Sequence, residues 1–554
     1  MLSSEDDKIR FPLHLSTAPN DPPFLDLDKV SLLSRSTPFF EEFQSLRRFV
    51  SDPSVYAHLL SVPPRRVADA SRALTTTDIE KILLSDKFDL ILSDSALRLV
   101  QQFSVTELGK QRRRLIGAPT QLNDELKETV GVPNIDLIDP VTMATQLQPH
   151  MFARCADLEK GFRQIPLASE IRPFFAFPIT HPSIPPNVCG VYTSLPMGVN
   201  FAPALMHSVL KILAYNDDPD VLTHCYIDNV RFAGKPENVN KAFAKFLSNC
   251  KFVNSTVNSE KENALHQQGV FLGLETNYQT AEVKIAAKTL EKIKLWTDGL
   301  ADPLLQLDHV VALVSSLFYA SRALRLPLAE FYPVIKFYRR RMSMLAKGQI
   351  SLSSPAVIWP SVRPTLSRWI SLVMLNSPTR HPPHDFSLDL VLFTDASTTG
   401  WGGLLFDEKR GTFHTAAGSW GSTQEARDIN FLEARALALS IDAFYSKLSS
   451  RNVQSLLIVI DNTALKHTLT SGSAHSFKLN EEIRKILPRL PKVNVRVSYI
   501  ASASNPADPL SRGKKVQEQL ASVLGGLGGR LVQSSSKVNI PVFLSPISPV
   551  CFPN

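Results

Sequence analysis

The sequence predicts a mixed α/β (α+β) protein of several domains, and three observations carry that expectation. Its 554 residues exceed what one hydrophobic core can organise. Short runs with β-like patterning alternate with helix-period stretches from about Lys110 to Tyr278, and again after Leu388. Between the two regions lies a proline-marked break, Ser377-Pro378 through His381-Pro382-Pro383-His384, which reads as a linker. An apolar share of 44% against 20% charged residues argues against a disordered chain. No apolar run approaches the roughly 18 residues of a membrane span. The N-terminal stretch Met1 to Phe11 is acidic and polar, without the apolar core of a secretory signal.

Five divisions follow in order. Residues 1–106 mix Pro-rich loops with short amphipathic stretches such as Ser93 to Phe103, and no chemistry can be assigned to them. Asp94-Ser95-Ala96 has an alanine where an aspartic-protease triplet needs glycine, so it reads as structural. In residues 107–280, Cys225 to Phe232 looks like two short strands around a tight turn, with Asp228-Asn229 at its tip. Residues 281–385 read as mostly helical from Ala286 to Ala346, interrupted at Pro303, Pro327 and Pro333. Residues 386–515 open with an apolar strand, Leu390 to Thr394, ending in Asp395, and Gly400 to Phe406 is its returning partner. A helix from Phe431 to Tyr445 and a strand from Leu456 to Ile460, ending in Asp461, complete a compact α/β pattern. Residues 516–554 are rich in Gly, Ser and Pro and read as a loosely ordered tail.

Sixty basic against 52 acidic residues give a net charge of +8, too small an excess to imply nucleic acid by itself. Its local concentration says more. Lys110, Arg112, Arg113 and Arg114 form one cluster, and Lys336, Arg339, Arg340 and Arg341 another, each a source of positive potential suited to phosphates. Either cluster alone would read as a solvated helix face. Five cysteines, odd in number, widely spaced and none in a CxxC pair, argue against a disulfide framework or a zinc knuckle and suit a reducing compartment.

Two sets of carboxylates stand out. Asp157 and Asp228 fall at strand ends and could share a pair of divalent cations, although each alone reads as a helix cap or a turn aspartate. Asp395, Glu433, Asp461 and Asp508 could meet at one edge of a sheet, where four carboxylates repel one another unless cations bind. A cap for Asp461 and an exposed helix charge for Glu433 are the plainer alternatives.

The segments around the first pair resemble reverse transcriptases, in the order that family would have them. Arg113-Arg114-Leu115-Ile116 with Gln121-Leu122-Asn123 is similar to the fingers segment that grips a triphosphate. Asp157 to Leu167 resembles the first palm motif, with Phe162 where an aromatic ring would crowd a ribose 2′-hydroxyl. Leu195-Pro196-Met197-Gly198-Val199 resembles the second motif, Tyr226-Ile227-Asp228-Asn229 the Tyr-x-Asp-Asp box, Val257 to Lys261 the lysine motif, and Phe271-Leu272-Gly273 the primer-grip turn. One residue departs: the box ends in Asn229, whose amide oxygen can ligate a metal but brings no charge to it. The second set is similar to ribonuclease H domains. Phe393 to Ser397 with Gly400-Trp401-Gly402-Gly403 resembles their opening hairpin, Leu432 to Leu437 their metal-binding helix, and Asn505 to Arg512 the closing segment of retrotransposon versions. No histidine lies just before Asp508, where some of these enzymes place a product-release residue. The hairpin and the closing segment resemble those of DIRS-like (tyrosine-recombinase) retrotransposons. The box followed by Val230-Arg231-Phe232 is similar to the trypanosomatid VIPER type.

The resemblance, from about Lys110 to Arg512, implies a right-hand polymerase of fingers, palm and thumb joined to a ribonuclease H-like α/β domain. It implies RNA-directed DNA synthesis by Asp157 and Asp228, with Asn229 as a third metal ligand, and hydrolysis of the RNA strand by Asp395, Glu433, Asp461 and Asp508. Two Mg²⁺ per site, or Mn²⁺, would be the cofactors. Lys110, Arg113, Arg114, Phe162, Met197, Gly198 and Lys261 would meet the nucleotide. The implied partners are an RNA template, a DNA primer, the RNA–DNA hybrid and deoxynucleoside triphosphates, with no membrane. The implied location is intracellular: cytoplasmic or particle-associated, with nuclear access. Arg339 to Arg341 would track the hybrid's backbone. Two rivals remain: a polymerase-inactive nucleic-acid-binding copy, favoured by Asn229, and a DDE-type integrase or transposase, which leaves the Leu-Pro-Met-Gly and Tyr-Ile-Asp-Asn segments unexplained.

Overall fold

The computed structural model describes residues 21–61, 74–106, 113–133, 135, 137–258, 264–302, 304–381, 388–420, 428–450, 452–491, 493–515 and 520–537. Their fold is mixed α/β, as expected, in two compact units: residues 1–139 with 150–267, and residues 140–149 with 268–554. Among the described residues no helix is long and apolar enough to cross a membrane. The four described cysteines are free thiols.

The first unit contains strands β1 (Phe88–Leu92), β2 (Gln101–Thr106), β3 (Arg113–Ala118), β4 (Phe152–Asp157), β5 (Ala176–Phe177), β6 (Val188–Tyr192), β7 (Val221–Tyr226) and β8 (Asn229–Gly234). They form a β1-β6-β5 sheet, a β2-β3 hairpin and an antiparallel β4-β8-β7 sheet. Val230 and Phe232 face the core, where Phe243 and Phe246 of the helix Pro236–Phe252 pack on Phe232. The helix Ala202–Leu213 is buried nearly all round, as its mostly apolar sequence dictates, with His207 and Ser208 buried among the apolar side chains. Residues Leu25 to Leu59 belong to the same core: Phe49 of the helix Phe40–Ser51 stacks on Phe201, ring centroids 4.7 Å apart. The described part of the N-terminal region is therefore built into the unit that carries Asp157 and Asp228.

The second unit begins with a meander, β9 (Gln268–Phe271), β10 (Leu274–Asn277) and β11 (Glu282–Ile285), with β12 (Thr379–Arg380) at its edge. The β9–β10 turn has left-handed Leu272 (φ 51°) and Gly273 (φ 83°), the pair of positive φ values that a tight hairpin needs. Helices Ala287–Asp298, Leu307–Ala323, Tyr332–Ala346 and Arg363–Leu375 pack around buried Trp369, which stacks on Phe331 and donates from Nε1 to Ser321 Oγ at 2.6 Å. Pro333 interrupts nothing. It sits in the first turn of its helix, where a missing N–H costs no hydrogen bond.

The rest of this unit is a six-stranded sheet of β13 (Leu390–Ala396), β14 (Gly400–Asp407), β15 (Thr412–Ser419), β16 (Ser455–Ile460), β17 (Asn494–Tyr499) and β18 (Ser536–Lys537), in the order β15-β14-β13-β16-β17-β18. β13, β16 and β17 run parallel; the others are antiparallel to their neighbours. The segment expected to be a loose tail supplies the helix Leu520–Gln533 and β18. Leu524 is buried and Leu527, Leu531 and Val532 pack against the sheet, so the glycines there separate core-facing leucines instead of marking disorder. Between the helical segment and the sheet domain, Asn480 Nδ2 donates to Ala329 O (2.9 Å), Tyr332 Oη to His475 O (3.0 Å) and Arg339 Nη1 to Ala474 O (3.0 Å).

Candidate active sites

β4 ends in Asp157, and its register partner on β8 is Asn229. On the other side of β8, Asn229 pairs with Tyr226, which leaves Ile227 and Asp228 as a two-residue hairpin loop. Both carboxylates thus reach one end of adjacent strands, whose chains lie about 4.8 Å apart. Ile227 is left-handed (φ 57°), a costly conformation for a β-branched residue that persists only where the surroundings impose it. Two contacts do so: Ile227 N donates to His207 Nδ1 (3.3 Å), and Leu158 N donates to Asp228 O (3.0 Å). Asp157, Asp228 and Asn229 are half-buried. Asn229 Nδ2 donates to Asp228 Oδ1 at 2.8 Å, so its amide nitrogen is turned to its neighbour.

Phe162 is half-buried in the one-turn helix Gly161–Gln164 of the loop after Asp157. Gly161 beside it packs on the hairpin tip; a β-carbon there would lie 3.3 Å from Asp228 Cβ. Met197 is half-buried and Gly198 exposed. Gly198 has φ +101°, and a β-carbon would come within 2.2 Å of Gly117 O on β3, so only glycine fits. Arg113 and Arg114 lie in β3 by backbone, and their side chains fall outside the described structure, as do Lys110 and Lys261 altogether.

In the sheet of the second unit, Phe393 of β13 pairs with Val459 of β16, and two residues beyond each stand Asp395 and Asp461. Both carboxylates therefore sit at the carboxyl ends of neighbouring parallel strands, where open α/β sheets bind ligands. Glu433, on the helix Ile429–Leu448, joins them: one ligand atom from each of the three lies within 4.8 Å of the others. Glu433 Oε1 accepts from Ala396 N (3.3 Å), while Glu433 Oε2 and Asp395 Oδ2 are buried without a hydrogen-bond partner among the described residues. Burial first, then repulsion from Asp461 and Asp395, pushes Glu433 up to about 9. Burial again leads for Asp395, with Asp461 and Asp508 adding, and raises it to about 7. Orphaned buried carboxylate oxygens that cannot all be charged together fit a divalent cation. Asp508 stands outside this group of three, its carboxylate gripped by Arg512 Nη2 (2.8 Å) and Nε (3.1 Å).

Residues 87–276 match the family model described as reverse transcriptase (RNA-dependent DNA polymerase). This stretch is a reverse transcriptase domain. It contains Asp157, Asp228 and the Gly198 loop. No curated protein matches the chain. Among solved structures, the foamy viral protease-reverse transcriptase is similar at low identity. Its dRH form in complex with double-stranded DNA shares 15% identity over 88% of this chain and 84% of that one, with a TM-score of 0.46. The same protein in complex with double-stranded DNA shares 16% over 88% and 99%, with a TM-score of 0.43. In complex with an RNA/DNA hybrid it shares 16% over 98% and 67%, with a TM-score of 0.46.

Three side chains that hold these sites together had no assigned role in the sequence reading. In the reverse transcriptase domain, Gln164 is buried: its Nε2 donates to Glu159 O (2.7 Å) and Thr256 O (2.9 Å), and its Oε1 accepts from Ser255 Oγ (2.9 Å) and Thr256 N (3.0 Å). Asn123 ties the helix Thr120–Thr129 to the Gly198 loop, donating to Gly198 O (2.9 Å) and accepting from Asn200 N (2.9 Å). In the other unit, buried Asn505 donates to Thr394 O (2.9 Å) and Asp395 Oδ1 (3.4 Å). Of the second basic cluster, Arg339 donates to Ala474 O and Arg341 to Val357 O (3.1 Å), and both are half-buried. Lys336 and Arg340 are exposed.

Proposed function

We propose that the chain is an RNA-directed DNA polymerase with a ribonuclease H activity, a retroelement enzyme of the DIRS-like kind that works inside the cell. The observation that carries this reading is the convergence of Asp157 and Asp228 at one sheet end within the reverse transcriptase domain. Residues 107–280 serve as fingers and palm, 281–385 as thumb and connection, and 386–515 as the nuclease. Two Mg²⁺ ions at each site would supply activation of the attacking oxygen and neutralise charge on the phosphate in flight. Asp157 and Asp228 hold their carboxylates where a primer 3′-hydroxyl and an incoming α-phosphate can meet, and pyrophosphate leaves as the new ester bond forms. Phe162 crowds the 2′ position of the sugar, Met197 and Gly198 line the nucleotide, and Lys110, Arg113, Arg114 and Lys261 take the triphosphate. Asp395, Glu433 and Asp461 hold the second metal site, with Asp508 at its margin, paired to Arg512. Asp508 adds repulsion that raises Asp395, which supports its place near the metals.

The test is deoxynucleotide incorporation on a primed RNA with Mg²⁺, beside Asp157→Ala and Asn229→Asp, with cleavage of the hybrid's RNA strand followed in Glu433→Gln. Incorporation that vanishes in Asp157→Ala is expected; a parent that incorporates nothing would defeat the polymerase claim. A second reading, a copy that binds nucleic acid without polymerising, is favoured by the Asn229 amide pointing at Asp228. Activity appearing only in Asn229→Asp would establish it.

A further inference from the structure

Residues 21–26 carry no motif, yet they are bonded to the loop that follows Asp157. Leu25 N donates to Gln164 O (2.7 Å), Asp26 N donates to Val253 O (2.9 Å), and Phe24 O accepts from Asn254 Nδ2 (2.9 Å). Ahead of them Asp21, its side chain only 2% exposed, accepts from Lys160 Nζ and from Arg163 Nη1, each at 3.0 Å, and from Ser85 Oγ. Burial alone would raise this carboxyl; Ser85, Arg163 and Lys160 outweigh it and hold the group below its ordinary range. A buried carboxylate with two cationic partners is costly to break, because removing one side strands charge in the interior.

The two cations are not arbitrary. Lys160 and Arg163 bracket Phe162, and Lys160 is left-handed (φ 46°), so the loop is bent where it is gripped. On one side Gly161 rests against Asp228; on another the Asp21 carboxylate draws both cations together. The backbone of Gln164 is fixed by Leu25, while its side chain is fixed by Ser255 and Thr256. The loop that carries the candidate sugar-sensing ring is thus held by the hairpin tip and by an N-terminal segment.

We propose that residues 21–26 form a strap that sets the position of Phe162, with Asp21 as a positioning residue for selection of the nucleotide sugar. This rests on the polymerase reading and adds a specificity device to it.

The full-length chain and its Asp21→Asn and Asp21→Ala variants would be compared in two ways. Amide hydrogen exchange is expected to rise about tenfold or more at Leu158 to Gln164 in both variants, while β9 to β11 stay unchanged. Bound to a primed RNA whose primer ends in a dideoxynucleotide, the variants are expected to lose about tenfold of the preference for a deoxynucleotide over the matching ribonucleotide. In the extension assay the Michaelis constant for the deoxynucleotide rises more than the turnover number falls. Unchanged exchange overturns the strap whether or not the chain polymerises. Raised exchange with unchanged sugar preference also overturns it, because the contact would then be packing alone. A parent that selects the nucleotide but does not extend defeats the polymerase reading and leaves the strap's own test intact.

Discussion

Asp395 and Glu433 make the carboxylate site of the six-stranded sheet sensitive to proton and metal concentration. Their carboxyls are raised to about 7 and 9 in the folded chain, against roughly 4 for free side chains. The folded state therefore retains protons that the unfolded chain has released. This stabilisation is fully present below about pH 4 and is lost as pH rises through 7 and on to 9. In chelator, the thermal midpoint of the sheet domain should fall across that window, and Mg²⁺ should restore it most at the alkaline end; calorimetry over pH 5 to 9 with and without Mg²⁺ checks this. Asn505→Ala should cut hybrid cleavage about tenfold or more and raise the Mg²⁺ needed for half-maximal rate, since the amide that steadies Asp395 is gone. A magnesium titration of cleavage reads both. At this scale legibility divides by distance along the chain. The turn that carries Asp228 is legible because a two-residue turn is a local event, although its other tip residue is Ile227 and Asn229 already pairs in β8; Gln164 and Asn505 instead act through partners about a hundred positions away and leave no periodic trace. Asp508 is grouped with the other carboxylates by the resemblance of its segment, while its i,i+4 spacing to Arg512 is the local signal for the ion pair that holds its carboxylate.

At the scale of elements, the loop after β6 is closed by geometry that admits one residue type. Gly198→Ala would force a left-handed alanine into a backbone carbonyl of β3, at a cost of about 2 kcal/mol or more. The expected result is a lower denaturation midpoint for the first unit together with loss of nucleotide incorporation, while hybrid cleavage persists. Chemical denaturation and the two activity assays separate these effects. Strands β13, β14 and β16 and the helix Ile429–Leu448 were legible because apolar runs and helical phase are properties of short windows. The helix Leu520–Gln533 was not. Its two glycine pairs interrupt the apolar pattern, and only the packed sheet shows why Gly528 is small: a β-carbon there would meet Leu388 Cδ2 at 2.9 Å. Pro333 misled for the opposite reason, since the same residue that breaks a helix interior is welcome in its first turn.

At the scale of the molecule, the proline-marked break looked like the natural place to divide the second half of the chain, and the contacts cross it. Ala329 lies in the core of the six-stranded sheet domain, and Asn480, fully buried, gives its amide to the Ala329 carbonyl. A fragment beginning at residue 386 would lose that bond, worth about 0.5–1.5 kcal/mol, and would uncover the apolar surface around it. A fragment beginning at Gln268 keeps both. The shorter piece should aggregate or melt several degrees lower than the longer, as light scattering and a thermal melt would show. The bond between Asn480 and Ala329 also bears on how the chain divides. A domain of this build does not separate cleanly by a cut at the apparent seam, because part of its interior is encoded upstream of it. Any transfer of the sheet domain would have to carry the preceding helices along, so the unit that folds is longer than the unit that holds the carboxylates.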